Sequence, residues 1–162
     1  MLCFSYDSSS KKSGFTLIEI ITVISIIAVL AALTLGGIRY VSGAAKANRA
    51  KVEIAAIESA VSDYTLDFGE PPQGEDSITS SPTGTGARKL YSALIEGDKI
   101  YLQLKENQKG GTQGNYFIQD PYGNPYGYNS SKDPNVNPNA PEVSLWSTGG
   151  NAGNSEKWIK NW

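Results

Sequence analysis

Glu19 is the residue whose position asks for chemistry, because it is the single ionisable side chain in residues 15–38, FTLIEIITVISIIAVLAALTLGGI. Insertion scales put an acidic residue at the centre of a membrane-spanning helix at about 2.5–3.5 kcal/mol, less near the interface, so an intramembrane carboxylate commonly marks a function and has a partner. The plain alternative is a polar residue tolerated at headgroup level. Directly ahead of the apolar run stand Lys11, Lys12, Ser13 and Gly14. Elsewhere reactive groups are sparse. The chain has no histidine and its one cysteine is Cys3, which removes histidine general-base catalysis, histidine-ligated zinc, CxxC redox chemistry and an internal disulfide. The adjacent carboxylates Glu75 and Asp76 fall in loop composition with no base or nucleophile beside them, so an enzyme is not expected.

The elements that must position these residues follow from length and patterning. A chain of 162 residues has room for one domain of ordinary size. With 14 basic and 16 acidic side chains it lacks the positive excess that nucleic acid requires. All eight prolines and 13 of the 17 glycines lie at or after Gly69, so the two halves are different materials. As a helix, residues 15–38 would run about 36 Å, enough to span a bilayer. A secretory signal peptide is cut after its apolar region, whereas here the run flows without a turn signal into Arg39, Tyr40 and a further helical pattern. The positive-inside rule keeps Lys11 and Lys12 in the cytoplasm and puts the C-terminal half outside. A lipid anchor on Cys3 is not expected, since no apolar stretch precedes it.

Beyond the apolar segment Ala47, Ala50, Ile54, Ile57, Val61, Tyr64 and Phe68 recur at alternating spacings of three and four, one apolar stripe on a helix. Lys46, Arg49, Glu53, Glu58, Ser59 and Asp63 form the opposite, solvated face, and Gly69 followed by Pro71 and Pro72 ends the pattern. One helix from Phe15 to about Phe68 is predicted, roughly 80 Å long. Gly36 and Gly37, each costing about 1 kcal/mol in a helix interior, mark a place for local unwinding. Residues 70–86 are loop by composition. Ala87, Leu90, Tyr91 and Leu94 predict a short helix. Tyr116-Phe117-Ile118 and Tyr126-Gly127-Tyr128 flank the turn-rich Asp120-Pro121-Tyr122-Gly123-Asn124-Pro125 and predict an antiparallel hairpin, with a third strand at Val143 to Ser147.

The stretch KKSGFTLIE resembles the class III signal of type IV pilins and type II secretion pseudopilins. DPYGNPYGY resembles the DPWGNPYxY stretch of the major pseudopilin of type II secretion systems. Ser147-Thr148-Gly149, the closing Ile159-Lys160-Asn161-Trp162 and Tyr64-x-x-Asp67 are similar to that family as well, while residues 70–115 match poorly. The resemblance implies an α+β, pilin-like fold: a long N-terminal helix, transmembrane and then amphipathic, packed on a small C-terminal antiparallel sheet. It divides the chain into a cleaved leader (1–14), a transmembrane and assembly segment (15–38), an amphipathic helix (39–69) and a periplasmic globular domain (70–162). It implies cleavage by a prepilin peptidase between Gly14 and Phe15, N-methylation of Phe15, and Glu19 pairing with the amine of a neighbouring subunit during filament assembly. Pairing a buried amine with a buried carboxylate offsets the desolvation of both and fixes the stagger between subunits. Cleavage also removes Cys3, so the mature chain would face an oxidising compartment with no cysteine.

The function so implied is a structural subunit of a short periplasmic filament that drives protein secretion. Its partners would be further copies in a helical filament, minor pseudopilins, the prepilin peptidase and an inner-membrane assembly platform, with the chain anchored once in the inner membrane and no nucleic acid bound. The alternatives are a type IV pilin or minor pilin of a surface fibre, and a signal-anchored binding module that stacks exposed Trp146 or Trp158 on sugars. The family also binds calcium in a loop between its last strands, the one cofactor the resemblance implies. Here Ser147, Asn151, Glu142 and Glu156 would supply the oxygens. Two of the family's aspartates are replaced, by Asn151 and by Trp158, a thin supply for an ion that takes six to eight oxygens. Packing of Trp146, Trp158, Trp162 and the tyrosines can carry the domain instead.

Overall fold

The structure, a computed structural model, describes residues 14–131 and 142–162, without the side chains of 34–40. Its longest element is helix α1, Leu17–Phe68. It stops where the sequence expects, at Gly69, which takes φ 81° and bonds its N–H to the Thr65 carbonyl at 2.7 Å. The chain forms two compact units, residues 1–41 and 42–162, and α1 contributes to both.

In the first unit α1 is apolar on every side. Ile20, Ile24 and Ile27 are 52%, 56% and 59% exposed, and Val23, Ile26 and Leu30 around the helix are exposed too. Thr22 and Ser25 turn their hydroxyls back onto the helix, donating to the carbonyls of Glu19 and Ile21 at 2.9 and 2.7 Å. Among the described residues no helix is long and apolar enough to cross a membrane. The spanning segment expected over 15–38 runs into positions 34–38, whose side chains lie outside the described residues, as does the side-chain surrounding of Gly36 and Gly37.

The second unit is α+β. The stripe of α1 is buried at Ala50, Ile54, Ile57 and Val61, joined by Ala60, while Ala47 and Tyr64 are half-buried. Phe68 departs from the expectation. It is 64% exposed, at the last residue of α1, with its ring stacked on Tyr64 at 4.4 Å and edge-on to Tyr101 at 6.5 Å. Glu53 departs in the other direction: expected on the solvated face, it is buried. Helix α2, Thr85–Ile95, buries Ala87, Leu90, Tyr91 and Leu94 as their spacing predicts. Leu90, Tyr91 and Leu94 share one core with Ile118, Tyr126, Tyr128, Val143 and Leu145.

Two small antiparallel sheets complete the unit. Strands β1 (Lys109–Gly110) and β2 (Phe117–Ile118) pair in one, and β3 (Gly127–Asn129), β4 (Ser144–Ser147) and β5 (Ile159–Lys160) lie in that order in the other. The third strand is where it was expected, but the hairpin is not. The segments flanking the turn meet only at its neck, through the bridge Gln119–Pro125 and the bond from Tyr126 N–H to the Ile118 carbonyl at 3.1 Å. Pro125 has no N–H to continue a ladder. Beyond it β2 pairs with β1, and β3 takes β4.

The turn itself is organised by Asp120, 1% exposed, whose carboxylate accepts from the N–H groups of Tyr122 and Asn124 at 2.9 and 2.8 Å and from the Ser147 hydroxyl at 2.5 Å. It thereby ties the turn to the end of β4. Burial pushes the Asp120 carboxyl up, against the lowering by these three donors, and the charge of Glu53 adds to the rise. In β3, Gly127 is opposite Trp146, and a Cβ there would collide with the indole ring. Only glycine lets the two strands close over a buried tryptophan.

Gly127→Ala is accordingly expected to lose about 1–3 kcal/mol of unfolding free energy to overpacking, read as a lower denaturant midpoint at unchanged slope. Asp120→Ala, which leaves three donors without an acceptor, is expected to cost about 3 kcal/mol, whereas Asp120→Asn keeps the shape and part of the bonding. The raised folded-state carboxyl makes Asp120 a charge whose penalty is full above its folded pKa and is relieved as pH falls toward its unfolded value. Denaturation of wild type and Asp120→Asn across the carboxylate range should therefore show the wild type gaining on the variant as pH falls. A constant difference would refute this.

Candidate functional site

The residues expected to direct processing and assembly stand together at the start of α1. Gly14 and Phe15 precede the helix and are exposed, Phe15 to 84%, and nothing lies within 4 Å of where a Cβ on Gly14 would be. Glu19 is also exposed, yet its carboxylate is engaged within its own chain. Oε2 accepts from the Thr16 N–H at 2.8 Å and from the Thr16 hydroxyl at 2.8 Å, while the Glu19 N–H donates to Thr16 Oγ1 at 3.4 Å. This is a reciprocal capping box, with Thr16 as N-cap and Glu19 three residues on. The Thr-x-x-Glu spacing ahead of an apolar run is the signal that would have found Thr16 from sequence alone. A carboxylate offers about four lone-pair sites. Both bonds from Thr16 fall on Oε2, so the group keeps capacity to accept from a further donor such as an amine.

The four oxygens expected to hold calcium are not arranged for it. Ser147 is buried, gives its hydroxyl proton to Asp120 and accepts from the Gly149 N–H at 3.1 Å. Asn151 turns its side-chain amide back to the Gly149 carbonyl at 3.0 Å. Glu142 and Glu156 are exposed, and among the described residues no group of three or more histidine, cysteine, aspartate or glutamate side chains could hold a metal ion. Trp158 donates its indole N–H to the Asn151 carbonyl at 2.9 Å. The donor set does not fit a divalent cation, and no chemistry is routed through one.

One further expectation is corrected by burial. Trp146 is 0% and Trp158 7% exposed, their rings stacked at 6.4 Å with planes 8° apart, so neither offers a face to a sugar. Of the carboxylates Glu75 and Asp76, the first is exposed. The second is buried, accepting from the Tyr128 N–H at 3.3 Å and the Thr83 hydroxyl at 3.4 Å, which ties the loop before α2 to β3.

Sequence reading also missed a polar contact beneath the stripe of α1. Glu53 pairs with Arg49 one turn earlier at 2.7 Å and accepts the Tyr126 hydroxyl at 2.7 Å. Burial, then the bond to Glu53, pushes the Tyr126 phenol far up, so it remains a donor at any physiological pH. At the end of α1, Asp67 accepts from Lys99 at 2.5 Å and from the Tyr101 hydroxyl at 2.7 Å. Those two bonds hold the Asp67 carboxyl down, while desolvation and the bond to Asp67 push Tyr101 up to about 12. These groups brace structure. None sits beside a nucleophile.

Comparison with known proteins follows the same division of the chain. Residues 9–35 match the prokaryotic N-terminal methylation motif, and residues 38–162 match the model for type II secretion system protein G. The type II secretion system core protein G of Pseudomonas aeruginosa is 33% identical over 121 residues, covering 73% of this chain and 73% of that protein. That of Aeromonas hydrophila is 29% identical over 119 residues, covering 72% and 71%. With a methylation motif over the capped, apolar start of α1 and the second unit matched from the amphipathic part of α1 to Trp162, the chain belongs to the protein G family of type II secretion systems, a family of structural subunits and not of enzymes.

Proposed function

We propose that this chain is a major-type pseudopilin, made with a leader of residues 1–14, cut between Gly14 and Phe15, methylated on Phe15, and polymerised through α1 into a short periplasmic filament that drives protein secretion. The observation that carries the reading is the first unit. Its helix exposes isoleucine, valine and leucine in all directions with a single carboxylate at its start. Such a surface is stable only when lipid or other protein covers it. Before assembly the apolar run over 15–38 serves as the inner-membrane anchor, with the C-terminal unit in the periplasm. On assembly the same surface packs against the helices of neighbouring copies in a pilin-like arrangement.

The second unit supports this division of labour. The side of α1 turned away from its core carries Val52, Ala55, Ala56, Ser59 and Leu66, all exposed, with Val52 70% and Leu66 83% exposed and Asp63 the charge among them. Small and apolar side chains let helices of adjacent subunits approach closely. Glu19 then meets the amine of Phe15 in a neighbouring copy. Minor pseudopilins, the prepilin peptidase and an inner-membrane platform are the further partners of such a subunit.

Intact mass spectrometry of the protein extracted from its native membrane is expected to give the mass of residues 15–162 plus one methyl group. A full-length mass would sink the processing reading. In the same strain background Glu19→Ala should leave the protein processed and membrane-bound but abolish filaments seen by electron microscopy. Filaments of normal length in that variant would remove Glu19 from assembly and reduce it to the helix cap of Thr16.

A further inference from the structure

We infer that the loop between β4 and β5, residues 148–158, is a metal-free replacement for a cation-binding loop, closed by the indole N–H of Trp158. The argument rests on where the oxygens of the loop are already spent. A calcium ion needs six to eight oxygens converging on one point, several of them carboxylate. Here the Asn151 carbonyl accepts from Trp158 Nε1 at 2.9 Å and from the Asn154 N–H at 3.1 Å, which uses both its lone pairs. The Thr148 carbonyl accepts from the Asn151 N–H at 2.8 Å. The Gly149 carbonyl takes the Asn151 side-chain amide at 3.0 Å, and the Ala152 carbonyl takes the Ser81 hydroxyl at 2.9 Å. Ser147 is committed to Asp120. Each of these oxygens already has a donor, and among the described residues no group of three or more histidine, cysteine, aspartate or glutamate side chains gathers beside them.

The backbone is shaped for this closure. Gly149 and Gly150 take φ 60° and 78°, a conformation that favours glycine, and turn the chain back on itself directly after β4. Asn154 then caps the 3₁₀ turn Ser155–Lys157 by accepting from the Glu156 N–H at 3.1 Å. That turn delivers Trp158 to its stacked position on Trp146, with the N–H aimed at Asn151. A tryptophan therefore does two things that an ion does in one. It supplies a fixed donor for the loop carbonyl, and it adds apolar area that anchors the loop to the core.

The inference stands whether or not the chain forms filaments, so its test is a folding measurement on the full chain in detergent micelles. In the wild type, thermal unfolding followed by near-ultraviolet circular dichroism should give one midpoint in excess EGTA and the same midpoint, within about 1 °C, in millimolar calcium chloride, since an ion that binds only the folded state would raise it. The indole N–H resonance of Trp158 should exchange slowly with solvent and stay unmoved by calcium. Trp158→Phe keeps most of the apolar area and removes the donor. It should lower the midpoint by about 3 °C, with calcium giving no rescue. A calcium-dependent rise of the wild-type midpoint would overturn the inference, and so would a Trp158→Phe midpoint equal to wild type. Should Trp158→Phe fail to fold, the wild-type comparison of EGTA with calcium decides alone.

Discussion

A helix that is apolar on every side has to be covered by something other than its own chain. Burying one isoleucine or leucine side chain contributes about 1.5–3 kcal/mol. The start of α1 displays a continuous series of them, from Leu17 to Leu33, every one more than two-fifths exposed. No rearrangement within the chain can satisfy so many, because the second unit already has a closed core of its own around Ile57, Leu90, Tyr126 and Leu145. The rest of the design follows from that shortage of internal cover. The helix must be anchored in lipid or packed among copies, its polar residues must look after their own hydrogen bonds as Thr22 and Ser25 do, and the C-terminal unit must be stable without help from the first.

The arrangement of that unit is specified by carboxylates buried with hydrogen-bond partners. Asp120, Glu53 and Asp76 are each less than a tenth exposed, and each accepts from at least two donors. Each joins segments distant in sequence: the 120–125 turn to β4, α1 to β3's approach, and the loop before α2 to β3. Removing one partner would strand a charge away from water, which costs far more than the pair gains by existing. These contacts therefore specify the arrangement of very short strands, none longer than four residues, that could not hold register by ladder bonds alone. Neither a disulfide nor a metal enters this account.

Much of this was legible in the sequence, and the boundary of legibility has a physical cause. The extent of α1, the position and buried face of α2 and the strand at Val143 to Ser147 follow from apolar periodicity and from glycine and proline punctuation. The first unit and the special place of Glu19 follow from one charge in a long apolar run. What could not be read was long-range pairing. Glu53 falls on the polar face by periodicity, and beside Arg49 one turn earlier its buried partner is the hydroxyl of a tyrosine 73 positions away, which no local pattern shows. The flanks of the Asp120 turn read as a hairpin because local signals describe the turn and not which neighbour each strand finds. Two-residue strands such as β1 and β5 carry no periodicity at all. Trp158 read as lost calcium chemistry, since the loop that it closes exists only once Asn151 is in place to accept its N–H.

Glu19 shows how one residue can answer both to its own helix and to a neighbour. An N-terminal cap is worth about 0.5–2 kcal/mol, and Thr16 supplies it through bonds to a single carboxylate oxygen. Left as the only interaction of a carboxylate surrounded by hydrocarbon, such a cap does not offset an insertion cost of about 2.5–3.5 kcal/mol at mid-membrane. At the membrane surface it is enough, because water completes the carboxylate's shell. The cap therefore suits a helix start that water can reach, as the proposed membrane-surface position would allow. It ceases to suffice when packing among copies excludes water. In the proposed filament the amine of a neighbouring copy would supply the missing partner, and the cap would hold the carboxylate oriented to meet it.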